Sequence, residues 1–529
     1  MPSRVSNGEG HDPAEESGES GENLPAYGER NVGKALQATW EILPVKRLAA
    51  IRLKPKRGKD GRKSEGVTVP FEGWTTKPPG GKDPCFNQVF KKKMHWRMPE
   101  MANNSDDKVR NLQRALYRAA KRNPSRRFHA LYDKIVRGDV LIKAWKQVRA
   151  NKGQGGVDGE TLEWIEEKIG VIPFLKGIQE ELKAGKYLPK PVRRVEIPKP
   201  DGSKRPLGIP VIRDRVAQAA CRKVVEPIFE ADFLEGSFGF RPKRGAQQAH
   251  REIKKWINGG YRWVVDGDIR KYFDSIDHDK LMVLVRQRIS DRKVLKLIRG
   301  WLEAGVLEEG RLTPTLRGTP QGGVISPLLS NVYLHLLDKV WNKRHRKLGR
   351  LVRYADDFVV LCGSQTNAEK SLEVIKQLMG CMGLELHPEK TRLVEMGPEK
   401  EGFDFLGFHF QVGMPVVGLG KNCCLSWPSR KAMKKIAEKV KMMTAGRERL
   451  LFPIEDLAKA LNPVLRGWAN YFRIGDSQPY FSKLQFYVLE RLILFRRRKY
   501  AWKGRTLSIE EVKRLGLNWI PTFALNAAG

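Results

Sequence analysis

The sequence predicts an α+β fold, and three stretches carry that prediction. Leu351 to Cys362 reads Leu-Val-Arg-Tyr-Ala-Asp-Asp-Phe-Val-Val-Leu-Cys. Apolar, largely β-branched residues run up to two adjacent carboxylates and away again, the pattern of two strands joined by a tight turn with Asp356 and Asp357 at its tip. Trp263 to Ile269 is a second short apolar strand, and it carries Asp266 and Asp268. Residues two apart on a strand project from one face. Beyond Ser429 the apolar residues recur every three or four positions, the spacing of helix faces.

The carboxylates give these strands their chemistry. Asp356 and Asp357 repel each other unless a cation sits between them. Taken by itself, the hairpin has two readings: an acidic turn in solvent, or a site for Mg²⁺, which prefers hard oxygen ligands and usually takes one or two protein carboxylates. A second acidic strand tips the balance, because three carboxylates from two strands could hold two Mg²⁺ ions roughly 3.5–4 Å apart, the arrangement of two-metal nucleotidyl transfer. Spacing does not decide between Asp266 and Asp268 as the third ligand.

Composition bounds the partners. The 529 residues carry a net charge of +38 and a pI near 10.0, a field that expects a polyanion and an affinity that falls steeply with salt. Thirteen tryptophans and a hydrophobic fraction of 40% speak for folded domains rather than a basic tail. Cys85, Cys221, Cys362, Cys381, Cys423 and Cys424 include no C-x-x-C pair and no Cys/His grouping at zinc spacing, which suits a reduced compartment. No apolar run approaches the roughly 20 residues that cross a bilayer, and the polar, acidic N-terminus is unlike a signal peptide. The expectation is a cytoplasmic protein with no membrane partner.

In chain order, residues 1–104 read as a poorly ordered extension, first rich in Gly, Glu and Ser, then basic and broken by Pro and Gly. Order begins near Ser105, where Val109, Leu112, Leu116 and Ala119 fall at helical spacing up to Pro124. A helix covers Val140 to Arg149, and the Gly-rich stretch 151–159 reads as a helix-to-helix loop or, alternatively, a phosphate cradle. Residues 193–210, Arg-Arg-Val-Glu-Ile-Pro-Lys-Pro-Asp-Gly-Ser-Lys-Arg-Pro-Leu-Gly-Ile-Pro, form a hairpin turning at Pro-Asp-Gly with cations on both arms. Such a hairpin suits a triphosphate, since Arg matches phosphate oxygens bidentately; it equally suits a solvated edge strand.

A helix follows from Arg213 to Ile228, then Ser237-Phe238-Gly239-Phe240-Arg241-Pro242, whose aromatics beside cations suit nucleic-acid stacking or packing beneath a loop. Asp277 reads as the N-cap of a helix from Lys280 to Ile289. In Arg317-Gly318-Thr319-Pro320-Gln321-Gly322-Gly323 the glycines let the backbone approach a nucleotide closely, and a Leu-rich helix runs from Pro327 towards Trp341. An amphipathic helix spans Ala368 to Met379. Leu457, Leu461, Leu465, Trp468 and Phe472, then Phe481, Leu484, Val488, Leu492 and Phe495, define two packed helices after an earlier lysine-rich one. Arg496-Arg497-Arg498-Lys499 crowns the last.

Tyr-Ala-Asp-Asp between apolar strands, with Asp-Ile-Arg-Lys-Tyr-Phe-Asp-Ser-Ile-Asp-His at 268–278, closely resembles the reverse transcriptases encoded by bacterial group II introns. The likeness extends over residues 105 to 520. It takes in Gly-Val-Asp-Gly at 156–159, the Pro-Gln-Gly block, Phe403-Asp404-Phe405-Leu406-Gly407-Phe408, and Leu465-Arg466-Gly467-Trp468-Ala469-Asn470-Tyr471-Phe472 of the maturase, or thumb, domain.

The resemblance implies a right-hand polymerase: fingers and palm over 105–410 with an antiparallel palm sheet, then an all-helical thumb over 411–529. It implies RNA-directed DNA synthesis with Asp268, Asp356 and Asp357 as ligands of two Mg²⁺ ions, Asp266 being set aside. Arg193, Lys199 and Arg205 fall at its triphosphate contacts, Gln321 and Gly322 at its nucleotide and template walls. Phe273 falls where a bulky ring excludes the ribonucleotide 2′-hydroxyl. Lys390 is a candidate to assist pyrophosphate departure, or else a solvated lysine. Arg466, Arg496, Arg497, Arg498 and Lys499 are candidate RNA contacts, by their charge and position. Implied partners are the intron RNA, an RNA template with DNA primer, deoxynucleoside triphosphates and target DNA. No Cys/His-rich nuclease of the H-N-H type follows the last helix, so a self-contained second-strand nuclease is not expected. A non-catalytic splicing factor, or a relative recruited to host defence, remains open at the level of sequence.

Overall fold

The structure is a computed structural model describing residues 101–198, 202, 204–308, 311–315, 317–414, 422–500, 507 and 509–517. The expectations for residues 1–100 and for Lys199 lie outside that range. Helix α1 (Met101–Arg122) packs with α2 (Gly138–Ala150), and α2 with α3 (Val171–Ala184), ahead of the hairpin β1 (Val192–Pro198) and β2 (Lys204–Ile209). Next come α4 (Ile212–Glu230), α5 (Ala246–Asn258), β3 (Trp263–Gly267), α6 (His278–Arg286) and α7 (Arg292–Glu303). A short hairpin, β4 (Val306–Glu308) and β5 (Arg311–Thr313), precedes α8 (Ser326–Val340), and then β6 (Gly349–Tyr354), β7 (Asp357–Cys362), α9 (Gln365–Met382) and β8 (Arg392–Glu395) complete the central part. The chain closes with β9 (Phe403–Phe405), β10 (Phe408–Gly413), β11 (Cys423–Pro428) and helices α10 (Arg430–Thr444), α11 (Ile454–Phe472) and α12 (Gln478–Tyr500).

Local chemistry explains most boundaries. Asp277 caps α6 by accepting from Lys280 N at 2.9 Å, as its position predicts. Asp291 caps α7 through Lys293 N and Val294 N, and Ser429 caps α10 through Ala432 N. Helix α9 stops at Gly383, whose φ of +73° is the left-handed C-terminal conformation glycine adopts without a Cβ penalty. The acidic strand is shorter than its apolar pattern suggests: β3 ends at Gly267, leaving Asp268 just past the ladder.

Among the described residues the strands form three sheets. The central sheet has order β6-β7-β3-β8 and is antiparallel throughout, as the palm expectation required. The second, β2-β1-β4-β5, joins the basic hairpin to the short β4–β5 hairpin through a parallel contact of β1 with β4. The third, β11-β10-β9, extends strand structure past 410, so the helical C-terminal part begins at Arg430. Its phenylalanines, Phe403, Phe405, Phe408 and Phe410, share one buried core with Leu457, Leu461 and Leu465 of α11 and Leu484 and Val488 of α12. No helix among the described residues is long and apolar enough to cross a membrane.

Candidate active site

The hairpin β6–β7 pairs Tyr354 with Asp357, which leaves Ala355 and Asp356 as its two-residue turn. Ala355 has a φ of +60°, a left-handed conformation that a non-glycine residue holds when its surroundings over-determine it. Arg353 supplies that constraint. Fully buried, it donates through Nε and Nη2 to both Asp338 oxygens (2.8 and 2.5 Å), through Nη1 to Asn331 Oδ1 (3.0 Å) and the Ala355 carbonyl (2.8 Å), and through Nη2 to Ser237 Oγ (2.8 Å). Five bonds match the five N–H groups of a guanidinium. They tie the turn to α8 and to the segment after α4, and the backbone of Gly239 packs against Ala355 N, where a side chain would collide.

Strand β3 lies between β7 and β8, with Gly267 opposite Phe358. Asp268, one residue past that ladder, is near enough to repel both Asp356 and Asp357. Asp268, Asp356 and Asp357 therefore lie towards the same end of the sheet. Desolvation by the cleft walls, followed by repulsion from Asp356, Asp268 and Asp266, pushes the Asp357 carboxyl up to about 7. Repulsion is the part of that rise which a bound cation would reverse. Asp356 is also raised, by burial foremost, with Arg205 and Arg353 pulling it back down. Asp266 is pushed up to about 6 by burial and is paired with Arg392 at 3.4 Å, while Asp268 accepts from Lys390 Nζ at 2.9 Å. No group of three His, Cys, Asp or Glu among the described residues is drawn together into a metal-ligating cluster. Mutually repelling carboxylates are nonetheless the donor set that a hard dication suits.

Around this centre the other predicted residues divide. Arg193 pairs with Ile209 and Arg205 with Ile197 across the hairpin, which puts both arginines on one face. Arg205 is near enough to Asp356 to stabilise its ionised form, and Arg193 donates to Gln154 Oε1 at 3.2 Å. The Gly-rich stretch before them is a packed connector: Arg215 donates to the Gln154 carbonyl, and a side chain at Gly156 would strike Val211. The Gln321 carbonyl accepts from Gly208 N at 2.7 Å, docking the Pro-Gln-Gly loop on β2. Gly322 has a φ of +118° with the Gly208 carbonyl where a Cβ would lie. The Phe273 carbonyl accepts from Thr319 N at 2.7 Å and its ring packs edge-on to Tyr272 at 5.3 Å, so it stands between Asp268 and that loop.

Elsewhere the geometry narrows the sequence reading. Phe238 is buried and Arg241 is bonded to Glu230 and to the Leu234 and Ser237 carbonyls, which settles that pair as packing, while Phe240 is exposed. Arg466 is exposed on α11, and Arg497 and Arg498 are exposed near the end of α12. Arg496 pairs with Glu511 at 2.8 Å and Lys499 donates to the Phe452 carbonyl at 2.5 Å, so part of the basic crown also braces the helical region. Arg353, Asp338 and Arg392 escaped the sequence reading. The available signal was an arginine inside an otherwise apolar strand.

Known proteins share long stretches of this chain. The family described as "Reverse transcriptase (RNA-dependent DNA polymerase)" matches residues 197–410, and "Group II intron, maturase-specific domain" matches 433–512. Protein YkfC of Escherichia coli (strain K12) is 35% identical over 337 residues, covering 56% of this chain and 87% of YkfC. Group II intron-encoded protein LtrA of Lactococcus lactis subsp. cremoris is 44% identical over 216 residues, 40% of this chain and 35% of LtrA. Against LtrA the chain thus matches about a third of the relative's length. A solved partial Cas6-RT-Cas1–Cas2 complex matches 47% of this chain and 42% of that one at 24% identity, with a TM-score of 0.30 that carries no argument. Reverse transcriptase domains generally use divalent metal ions. On the strength of both domains in order and of the relatives that share them, the chain belongs to the group II intron-encoded reverse transcriptases, RNA-directed DNA polymerases joined to a maturase domain.

Proposed function

We propose that this chain extends a DNA primer along an RNA template with its chemistry at Asp268, Asp356 and Asp357. The primer 3′-hydroxyl attacks the α-phosphate of a deoxynucleoside triphosphate, a new phosphodiester bond forms, and pyrophosphate leaves. The observation that supports this reading is the mutual repulsion of Asp268, Asp356 and Asp357 at one end of the central sheet, with Arg205 close to Asp356. These three residues would hold two Mg²⁺ ions, which when bound lower the pKa of the attacking hydroxyl and neutralise phosphate charge. Arg193 and Arg205 grip the triphosphate, a role also proposed for Lys199, which lies outside the described residues. Gln321 and Gly322 wall the nucleotide and template, Phe273 lies beneath the sugar, and Lys390 serves the departing pyrophosphate.

The proposed division is fingers and palm up to the end of β11 at Pro428, then the helical maturase segment. Arg466, Arg496, Arg497, Arg498 and Lys499 contact RNA there. The intron RNA is the substrate to be folded and spliced, and target DNA the acceptor during insertion, in a bacterial cytoplasm. The test is deoxynucleotide incorporation on a primed RNA template with Mg²⁺, wild type against Asp356→Asn/Asp357→Asn, with RNA binding followed in both. Loss of synthesis on the order of 10³-fold or more with binding retained supports the reading. A wild type that binds RNA tightly and makes no DNA would transfer the function to splicing without polymerisation.

A further inference from the structure

Strand β8 runs beside β3 with Asp266 opposite Arg392, where that ladder ends; beyond it the Asp268 carbonyl accepts from His387 N, and Lys390 lies in the turn between His387 and β8. Both acids are closed by ion pairs: Lys390 Nζ reaches Asp268 Oδ2 at 2.9 Å from the turn, and Arg392 Nε reaches Asp266 Oδ2 at 3.4 Å across the ladder. The two acids are held on the sheet with 26% and 19% of their side chains exposed, whereas Lys390 and Arg392 expose 63% and 50%. The carboxylates are therefore the shielded members and the cations the solvated ones. Asp268 is also one of the three carboxylates assigned above to a divalent ion. An ammonium and a dication both within about 3 Å of one carboxylate oxygen repel strongly, so they compete for that oxygen.

We infer that Lys390 is the resting counter-ion of Asp268, holding its Oδ2 when no divalent ion is bound and yielding it when the ion enters. This rests on the two-metal reading proposed above and deepens it. Release frees the Lys390 ammonium beside the carboxylates, where the triphosphate oxygens arrive. Arg392 keeps Asp266 and takes no part in the exchange. An exposed lysine suits this duty because such pairs are weak and easily displaced: it lowers the repulsion among the carboxylates without locking the ion out.

The test is Mn²⁺ binding without nucleotide, read from the paramagnetic resonance signal of the free ion, in wild type, Lys390→Met, Lys390→Arg, Arg392→Met and Asp268→Asn, each checked for a cooperative unfolding transition. Lys390→Met should bind Mn²⁺ roughly fivefold more tightly, the factor equivalent to an exposed ion pair of about 1 kcal/mol. Lys390→Arg should stay close to wild type, Arg392→Met should change affinity less than Lys390→Met does, and Asp268→Asn should bind weakly. Unchanged affinity in Lys390→Met, with binding still weakened by Asp268→Asn, overturns the counter-ion role and leaves the metal site standing. Equal tightening by Arg392→Met also overturns it, since general electropositivity would then account for the effect. Binding in Asp268→Asn as tight as in wild type removes the metal site itself, and the inference with it.

Discussion

At the scale of single residues, the fold places groups where their chemistry is forced. Phe273 is held by its backbone bond to Thr319 and by the buried Tyr272 ring, so its ring has little freedom to retreat from an incoming sugar. Phe273→Ala should let ribonucleotides in, and competition between ribo- and deoxynucleoside triphosphates during primer extension measures it; unchanged sugar selectivity would remove the gate. Asp214 makes a prediction about pH. Buried beneath the basic hairpin, it accepts from Tyr187 Oη at 2.6 Å and Lys190 N at 2.8 Å, and burial pushes its carboxyl up to about 6. The unfolded chain gives up this proton near pH 4 and the folded one near pH 6, so stability falls as pH rises through that window. The loss is at most about 3 kcal/mol. Urea unfolding of wild type and Asp214→Asn at pH 4 and pH 7 should show the variant losing less over the interval; parallel curves would contradict the assignment.

At the scale of elements, the Pro-Gln-Gly loop and the basic hairpin act as one unit, because the Gln321 carbonyl and Gly322 sit directly on Gly208 of β2. Gly322→Ala meets both a left-handed φ and the Gly208 carbonyl, so the loop must shift by a fraction of an ångström or more. Displacement of that order in a positioning element costs about 10²-fold in turnover. The expected result is that loss in steady-state incorporation with the unfolding transition retained, and wild-type turnover would show that the loop is not a wall of the site. These elements were legible in the sequence because their signals are local. Alternation and turn residues marked β1–β2, β3 and β6–β7, and threefold and fourfold apolar spacing marked α11 and α12. What was not legible comes from distance along the chain. Arg353 meets Ser237 from 116 residues away and Lys390 meets Asp268 from 122 away. The parallel contact of β1 with β4 and the three-residue strand β9 are too short to leave a period. Asp268 was separated from Asp266 by resemblance, and the structure adds that Asp268 is the one whose charge acts on Asp356.

At the scale of the whole molecule, the net charge of +38 predicts that RNA affinity is dominated by phosphate contacts. With six to ten such contacts, binding should weaken by about 10³–10⁵-fold between 50 and 200 mM salt, read by filter binding; a flat response would point to base-specific recognition instead. The sheet β9–β10–β11 has a further consequence. Phe408 lies 4.8 Å from Phe472, Tyr471 Oη donates to the Leu406 carbonyl at 2.9 Å, Gln247 of α5 donates to the Asn470 carbonyl at 3.0 Å, and Lys254 pairs with Asp476 at 2.9 Å. Catalytic and maturase segments thus draw on a common apolar interior, and cutting the chain at Ser429 would leave each half with an uncovered aromatic face. Polymerase and splicing roles are then tied by cooperativity: a mutation that loosens α11 for the sake of one activity is expected to melt the support of the other, so the two activities should be lost at one temperature rather than in sequence.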